Sequence, residues 1–153
     1  MDIVFQEIGR VSSGVSLENP RGWENSESLI TVDPGLADAL SGLFDFSHII
    51  VVYYIDRVRD KLSGNPPPHS VHPRGRKDLP LVGLFATRSP ARPNPIGISV
   101  VRLIKVEGNV LTVRGLDAID GTPVLDVKPY LPQNDRIENP VIPEWAQVLA
   151  RES

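Results

Sequence analysis

Fifteen prolines in 153 residues set the first limit on how this chain can fold. Nine of them fall in clusters: Pro66, Pro67 and Pro68; Pro90, Pro93 and Pro95; Pro123, Pro129 and Pro132. Each fixes φ and lacks an amide donor, so these stretches are closed to helix interiors and to central strands. Regular structure must lie between them in short pieces. The strongest piece is Ser47 to Val58, where Ile49 to Ile55 are all β-branched or aromatic, the signature of a strand buried on both faces. Ile3–Val11, Leu29–Val32, Leu81–Ala86, Ile96–Val106, Val110–Arg114 and Val124–Val127 read as further strands. Glu107-Gly108-Asn109 supplies a hairpin turn. In Ile96–Val106 the residues Ile98, Val100, Ile104 and Val106 are expected to share one face.

Two helices complete the pattern. Asp33 caps and Pro34 opens the first, with Leu36, Leu40 and Leu43 on one side. Pro143–Arg151 forms the second, with Trp145, Val148 and Leu149 turned inward. About six to seven short strands joined by local hairpins, with no regular strand–helix alternation, predict a mainly β fold: a small closed barrel with one or two short helices. The chain is expected to form a single domain over residues 1–153, with a tail from about 138 to 153.

Several classes of chemistry are closed off. With no cysteine there are no disulfides, thiolate zinc sites or cysteine nucleophiles. His69 and His72 lack a third ligand, so no metal site is expected. No phosphate-binding glycine fingerprint follows a strand, and no serine elbow is present. The longest apolar run is too short to span a bilayer, and the N-terminus does not read as an export signal. The net charge is −3, but it is unevenly spread. Residues 57–105 hold ten basic and two acidic side chains, between an acidic N-terminal part and an acidic C-terminal part. A basic stretch in an acidic protein suits a local phosphate-binding surface, although such charges also serve as ordinary solvated loops.

Two segments concentrate polar chemistry. In Phe85 to Gly97, Arg88 and Arg92 sit four apart on a turn stiffened by prolines. Arginine forks bind carboxylate or phosphate, and a rigid loop reduces the entropy lost in aiming them. Gly97 admits a ligand or another backbone at close range. The alternative is a structural turn whose arginines pair with Asp117 or Asp120. In Gly115 to Tyr130, Asp117 and Asp126 can accept hydrogen bonds from an amine or from ribose hydroxyls. Asp120-Gly121 is equally a plain turn, and His48 reads as a hydrogen-bonded packing residue.

Taken together, Phe85-Ala86-Thr87-Arg88, Arg92-Pro93-Asn94-Pro95-Ile96-Gly97, Leu116-Asp117, Asp120-Gly121-Thr122-Pro123 and Asp126-Val127-Lys128-Pro129-Tyr130 closely resemble the TsaA-like, or TrmO, family. Phe46-Ser47-His48 resembles it too, and the likeness covers about residues 3–135. The resemblance implies a cytoplasmic, homodimeric β-barrel methyltransferase. It would use S-adenosylmethionine to methylate the exocyclic amine of threonylcarbamoyladenosine beside the anticodon of tRNA, with neither DNA nor membrane as partner. It implies cofactor contacts at Arg88, Ile98, Arg114, Gly115, Leu116 and Asp117, and also at Asp56, Arg57, Pro20, Arg21 and Gly22. Asp56 stands where a histidine is common in the family. The chain ends soon after Trp145, without the extension of bacterial members, which resembles the short archaeal form. Methyl transfer from an activated sulfonium mainly requires alignment. Asp126, Lys128 and Tyr130 are the candidates to orient or deprotonate the acceptor, with Asn94 holding the base. Arg74, Arg76, Lys77 and Arg92 are expected to meet RNA phosphates. A methyltransferase of the same fold acting on a small molecule or another nucleoside, and a non-catalytic RNA-binding barrel, are the alternatives.

Overall fold

The computed structural model describes residues 1–14 and 23–152. Eight strands follow in chain order: β1 (Gly9–Ser12), β2 (Glu27–Val32), β3 (His48–Tyr54), β4 (Ser70–Val71), β5 (Val82–Gly83), β6 (Ile96–Glu107), β7 (Val110–Arg114) and β8 (Pro123–Pro129). The helices are α1 (Val58–Leu62), α2 (Pro132–Asp135) and α3 (Glu144–Arg151). The chain divides into two compact units, Met1–Val58 with Pro95–Tyr130, and Arg59–Asn94 with Leu131–Ser153.

The first unit is a closed, wholly antiparallel barrel of six strands in the order β1-β2-β7-β6-β3-β8. Alternation builds it. In β2 every second residue is buried, and in β3 the buried set is Ile49, Val51 and Tyr53. These close on Val11, Ile30, Val32, Val101, Leu103, Leu111, Val113, Leu116 and Val124 as one core. Each fully buried aliphatic side chain of this kind contributes about 1.5–3 kcal/mol.

The strand expected over Ile3–Val11 is confined to Gly9–Ser12, and Ile3, Val4 and Phe5 are exposed. Its partner ends the pairing: β2 stops at Val32, the amide of Asp33 bonds the Ile8 carbonyl, and Pro34 then turns away. The helix expected after Asp33 is two 3-10 segments, Pro34–Leu40 and Leu43–Asp45, broken at Gly42 with φ +82°. Asp33 does cap it, accepting from the Gly35 amide at 2.9 Å.

β3 has one core face rather than two, because its outer face lies on the outside of a single closed sheet. The face assigned to β6 is also corrected. Ile98 and Val100 are 56% and 53% exposed, while Val101 and Leu103 point inward. A register shift between Leu103 and Lys105 reverses the alternation, and so the second half of the strand uses the opposite parity. The hairpin at Glu107-Gly108-Asn109 forms as expected, with Gly108 at φ +58°.

In the second unit, residues 59–94 hold several short regular pieces. β4 pairs with β5 in a two-residue ladder. The strand expected over Leu81–Ala86 stops at Gly83, because Leu84–Ala86 winds into a 3-10 turn whose Leu84 carbonyl takes both the Thr87 amide and the Thr87 hydroxyl. Leu79, Leu84 and Leu149 are buried. Leu149 lies on α3, the terminal helix that the sequence predicts. No helix among the described residues is long and apolar enough to cross a membrane.

Candidate active site

The antiparallel order sends six strand ends to the same mouth of the barrel. These are the C-terminal ends of β1, β3 and β7 and the N-terminal ends of β2, β6 and β8. Ile98 and Gly115, Leu116, Asp117, Asp56 and Arg57 all leave from these ends, so the barrel draws together segments separated in sequence. Pro20, Arg21 and Gly22 lie outside the described residues.

The organiser of the mouth is Tyr53. It is 6% exposed, and its hydroxyl donates to the Asp117 carbonyl at 2.8 Å and meets Ser99 Oγ at 3.1 Å. One side chain thus ties β3 to β6 and to the β7–β8 loop. Gly97, the register partner of Tyr53, lies beneath its ring, and a Cβ there would fall inside the van der Waals shell of that ring. Gly97 admits a tyrosine of this chain, where the sequence suggested a ligand or another backbone. Gly115, at φ +89°, turns the chain out of β7, and its amide bonds the Ser26 carbonyl at 3.2 Å.

The mouth is acidic. The Asp117 carboxyl is pushed above the ordinary aspartate range, first by desolvation and then by repulsion from Glu24. The residue keeps solvent access, yet the surrounding protein still penalises its charge. Neither carboxylate has an ion-pair partner among the described residues. The neighbouring backbone is open as well: β7 pairs with β6 only from Arg102 onward, and Ile96–Val101 pair with β3 alone among the described strands. Unpaired carboxylates beside a free strand edge suit a ligand that carries positive charge and hydroxyl or amine donors.

Asp126 and Lys128 lie on the outer face of the barrel opposite Val52 and Ile50. Asp126 is half-exposed and takes the Lys128 ammonium at 2.7 Å and the Val127 amide at 2.9 Å. It is therefore a partly solvated carboxylate with a cation already beside it. The Lys128 ammonium is held above its usual range by Asp126. Lys128 stays protonated near neutrality and cannot be the proton acceptor. The amide of Tyr130 bonds the His48 carbonyl, and His48 Nδ1 bonds Ser47 Oγ at 2.7 Å.

In the second unit the proline corner separates its two arginines. Arg92 donates to the carbonyls of Thr87 and Ser89, both at 3.0 Å, and its guanidinium stands over the Phe85 ring. It braces the turn, pairing with neither Asp117 nor Asp120; the Asp120 carboxylate instead takes the Ser13 amide at 3.0 Å. Arg88 is exposed and has no partner among the described residues. Arg76 is ion-paired with Asp78 and Glu152, which neutralise much of its charge, while Lys77 is exposed. His72 Nδ1 is bonded to the Leu79 carbonyl at 2.8 Å. No cluster of three metal-ligating side chains occurs among the described residues.

Sequence reading missed Tyr53, Ser99 and Glu24. Tyr53 sits in an apolar run that reads as core, and only the pairing of Tyr53 with Gly97 betrays its second task.

With this geometry in place, four likenesses become informative. The family model of the tRNA-methyltransferase O N-terminal domain matches residues 17–136. A protein of Pyrococcus abyssi named as a probable S-adenosyl-L-methionine-binding protein is 46% identical over 114 residues, 74% of this chain and 57% of that protein. A mouse protein named tRNA (adenine(37)-N6)-methyltransferase is 39% identical over 104 residues, 66% of this chain and 22% of that protein. A crystal structure of TrmO from Pseudomonas aeruginosa superposes with a TM-score of 0.72 at 28% identity, over 95% of this chain and 62% of the other. The chain thus spans little more than half of the Pyrococcus protein and about a fifth of the mouse protein.

Proposed function

The chain belongs to the family of the tRNA-methyltransferase O N-terminal domain, and from that premise we propose that it is an S-adenosylmethionine-dependent methyltransferase acting on tRNA. The observation that carries the proposal is the open mouth: Asp117 feels the repulsion of Glu24, neither carboxylate has an ion-pair partner among the described residues, and Ile96–Val101 of β6 pair with β3 alone among the described strands. Bound there, S-adenosylmethionine supplies a methyl group already activated on a sulfonium. Asp117 and Glu24 would meet its positive charge or its ribose hydroxyls. The Ile98 backbone and the Gly115–Leu116 turn would line it, and Tyr53 would hold that turn in place. Arg114, Asp56 and Arg57 would complete the barrel's share, with Pro20, Arg21 and Gly22 from the first loop and Arg88 from the proline corner.

The acceptor we propose is the exocyclic N6 amine of threonylcarbamoyladenosine beside the anticodon, in the cytoplasm. An anticodon-loop base is largely unpaired, so presenting it costs little. Asp126 accepts the hydrogen bond of the reacting N–H, with Lys128 as a fixed cation beside it, and Tyr130 and Asn94 position the base. Arg74, Lys77 and the outer nitrogens of Arg92 meet phosphates, and Arg76 stiffens its loop. The exposed apolar row Ile96, Ile98 and Val100 is the kind of face that a homodimer covers.

Mass spectrometry of tRNA nucleosides, with and without the gene, tests the reading. Loss of the N6-methylated nucleoside on deletion and its return on complementation are expected. An unchanged nucleoside profile, with S-adenosylmethionine still bound in calorimetry, moves the reaction to another substrate.

A further inference from the structure

On the outside of the barrel lies a groove that shares only Arg114 with the proposed cofactor contacts and no residue with the basic loop. Arg102 of β6 and Arg114 of β7 are direct register partners, and both are exposed. Like charges directly opposite on one sheet face repel. Glu27, opposite Arg114 on its other side, compensates that arginine at 3.0 Å. Arg102 has no partner among the described residues. The two line an open groove of about 510 Å³ with Phe44, Phe46 and Ser47. Phe44 is 61% exposed. Asp45, the one carboxylate lining the groove, makes no ion pair with either arginine among the described residues.

Two adjacent arginines, only one of them compensated among the described residues, beside an exposed aromatic face have the composition that single-stranded nucleic acid requires. The guanidinium forks take a phosphodiester, and the ring takes the face of the adjoining base. Resting on the tRNA reading above, we propose that this groove is a second RNA-contact site, in which Arg102, with Arg114, holds a backbone phosphate and Phe44 stacks a neighbouring unpaired base. It grips the substrate strand outside the reacting nucleotide and is separate from Arg74 and Lys77.

The two components leave different marks. Removing a phosphate contact lowers both affinity and the slope of log K against log salt, by about 0.7–0.9 per contact. Removing a stacking ring lowers affinity with the slope intact. The test is a filter-binding titration of tRNA across salt concentrations with Arg102→Gln and Phe44→Ala, beside calorimetry with S-adenosylmethionine alone. Arg102→Gln is expected to weaken tRNA binding about three- to tenfold and to reduce the slope by about one contact. Phe44→Ala is expected to weaken it about tenfold at constant slope. Both variants should bind the cofactor as the parent does.

If the parent binds tRNA and Lys77→Gln weakens it while both groove variants match the parent, the tRNA reading stands and the groove proposal is overturned. Loss of cofactor affinity in Arg102→Gln overturns it too, by making the groove part of the cofactor site. If the parent itself binds no tRNA, the reading beneath it and the groove assignment fail together.

Discussion

The barrel mouth and the proline corner hold their functional groups by different physics. At the mouth, Asp117 is placed by long-range contacts: Tyr53 reaches it from 64 positions away, over Gly97 and beside Ser99. At the corner the bonds that hold Arg92 and its turn are local. Thr87 caps Leu84, the Thr87 hydroxyl takes the Ser89 amide, the Ser89 hydroxyl takes the Ala91 amide, and Arg92 closes back on Thr87 and Ser89. The mouth therefore inherits the cooperativity of the core, while the corner is stiffened by prolines and short-range bonds that exist whether or not the core is perfect. Damage at the mouth should cost stability and function together. Damage at the corner should cost function first.

The sharpest way to break this contrast is Gly97→Ala. The new Cβ meets the Tyr53 ring, so ring or strand must move at a cost of about 1–3 kcal/mol. We expect a clear drop in thermal midpoint and loss of S-adenosylmethionine affinity in the same variant. A protein of unchanged midpoint would show that the ring yields freely.

Next comes Tyr53→Phe, which keeps the packing but removes the hydroxyl that serves Ser99 and the Asp117 carbonyl. About 1–2 kcal/mol of destabilisation is expected, measured by urea unfolding, with weaker cofactor binding because the Leu116–Asp117 turn loosens. At the corner, Arg92→Lys keeps the charge but loses the planar fork that spans two carbonyls. Its cost in stability is expected to be under about 1 kcal/mol, while methyl transfer falls several-fold in a single-turnover assay. A stability loss matching that of Tyr53→Phe would erase the distinction between the two regions.

The smallest effect concerns pH. Since the folded barrel raises the Asp117 pKa, the folded state holds this proton more tightly than the unfolded chain does. The group therefore opposes folding once ionised, and stability falls as pH rises from the unfolded value through the folded one. Asp117→Asn removes that dependence and should be slightly more stable than the parent at neutral pH, with the difference shrinking as acid protonates the parent. A cationic ligand works in the opposite direction. Its affinity for the parent should weaken as Asp117 protonates, and it should be weak at every pH in Asp117→Asn. Calorimetry at two pH values reads both trends.

How much was legible in advance follows from the range of the interactions. Short-range chemistry reads directly from the chain: the Asp33 cap, the Glu107–Asn109 hairpin, the proline-stiffened turn and the strand over Ile49–Tyr54. The exposed side of β6 was misread because a single extra residue at Ile104 reverses the parity of everything before it, and nothing in Leu103-Ile104-Lys105 announces a bulge. The pairing of Asp126 with Lys128 was equally hidden: i and i+2 share a face of a strand, but the apolar neighbours suggested that this face was inside. Arg76 and Arg92 looked like free cations in the sequence, since their partners are a residue far along the chain in one case and backbone carbonyls in the other.

The order of residues alone settled most of where this chain forms strands and where it must turn, because proline and β-branching act within a few residues. Closure of the sheet decided the rest. It chose which alternate side chains face water, set the Tyr53 ring on Gly97, and brought Asp117 within the repulsion of Glu24. Those outcomes depend on register between strands as distant in the chain as those of Gly9 and Val124, and register is a property of the assembled sheet that no local stretch contains.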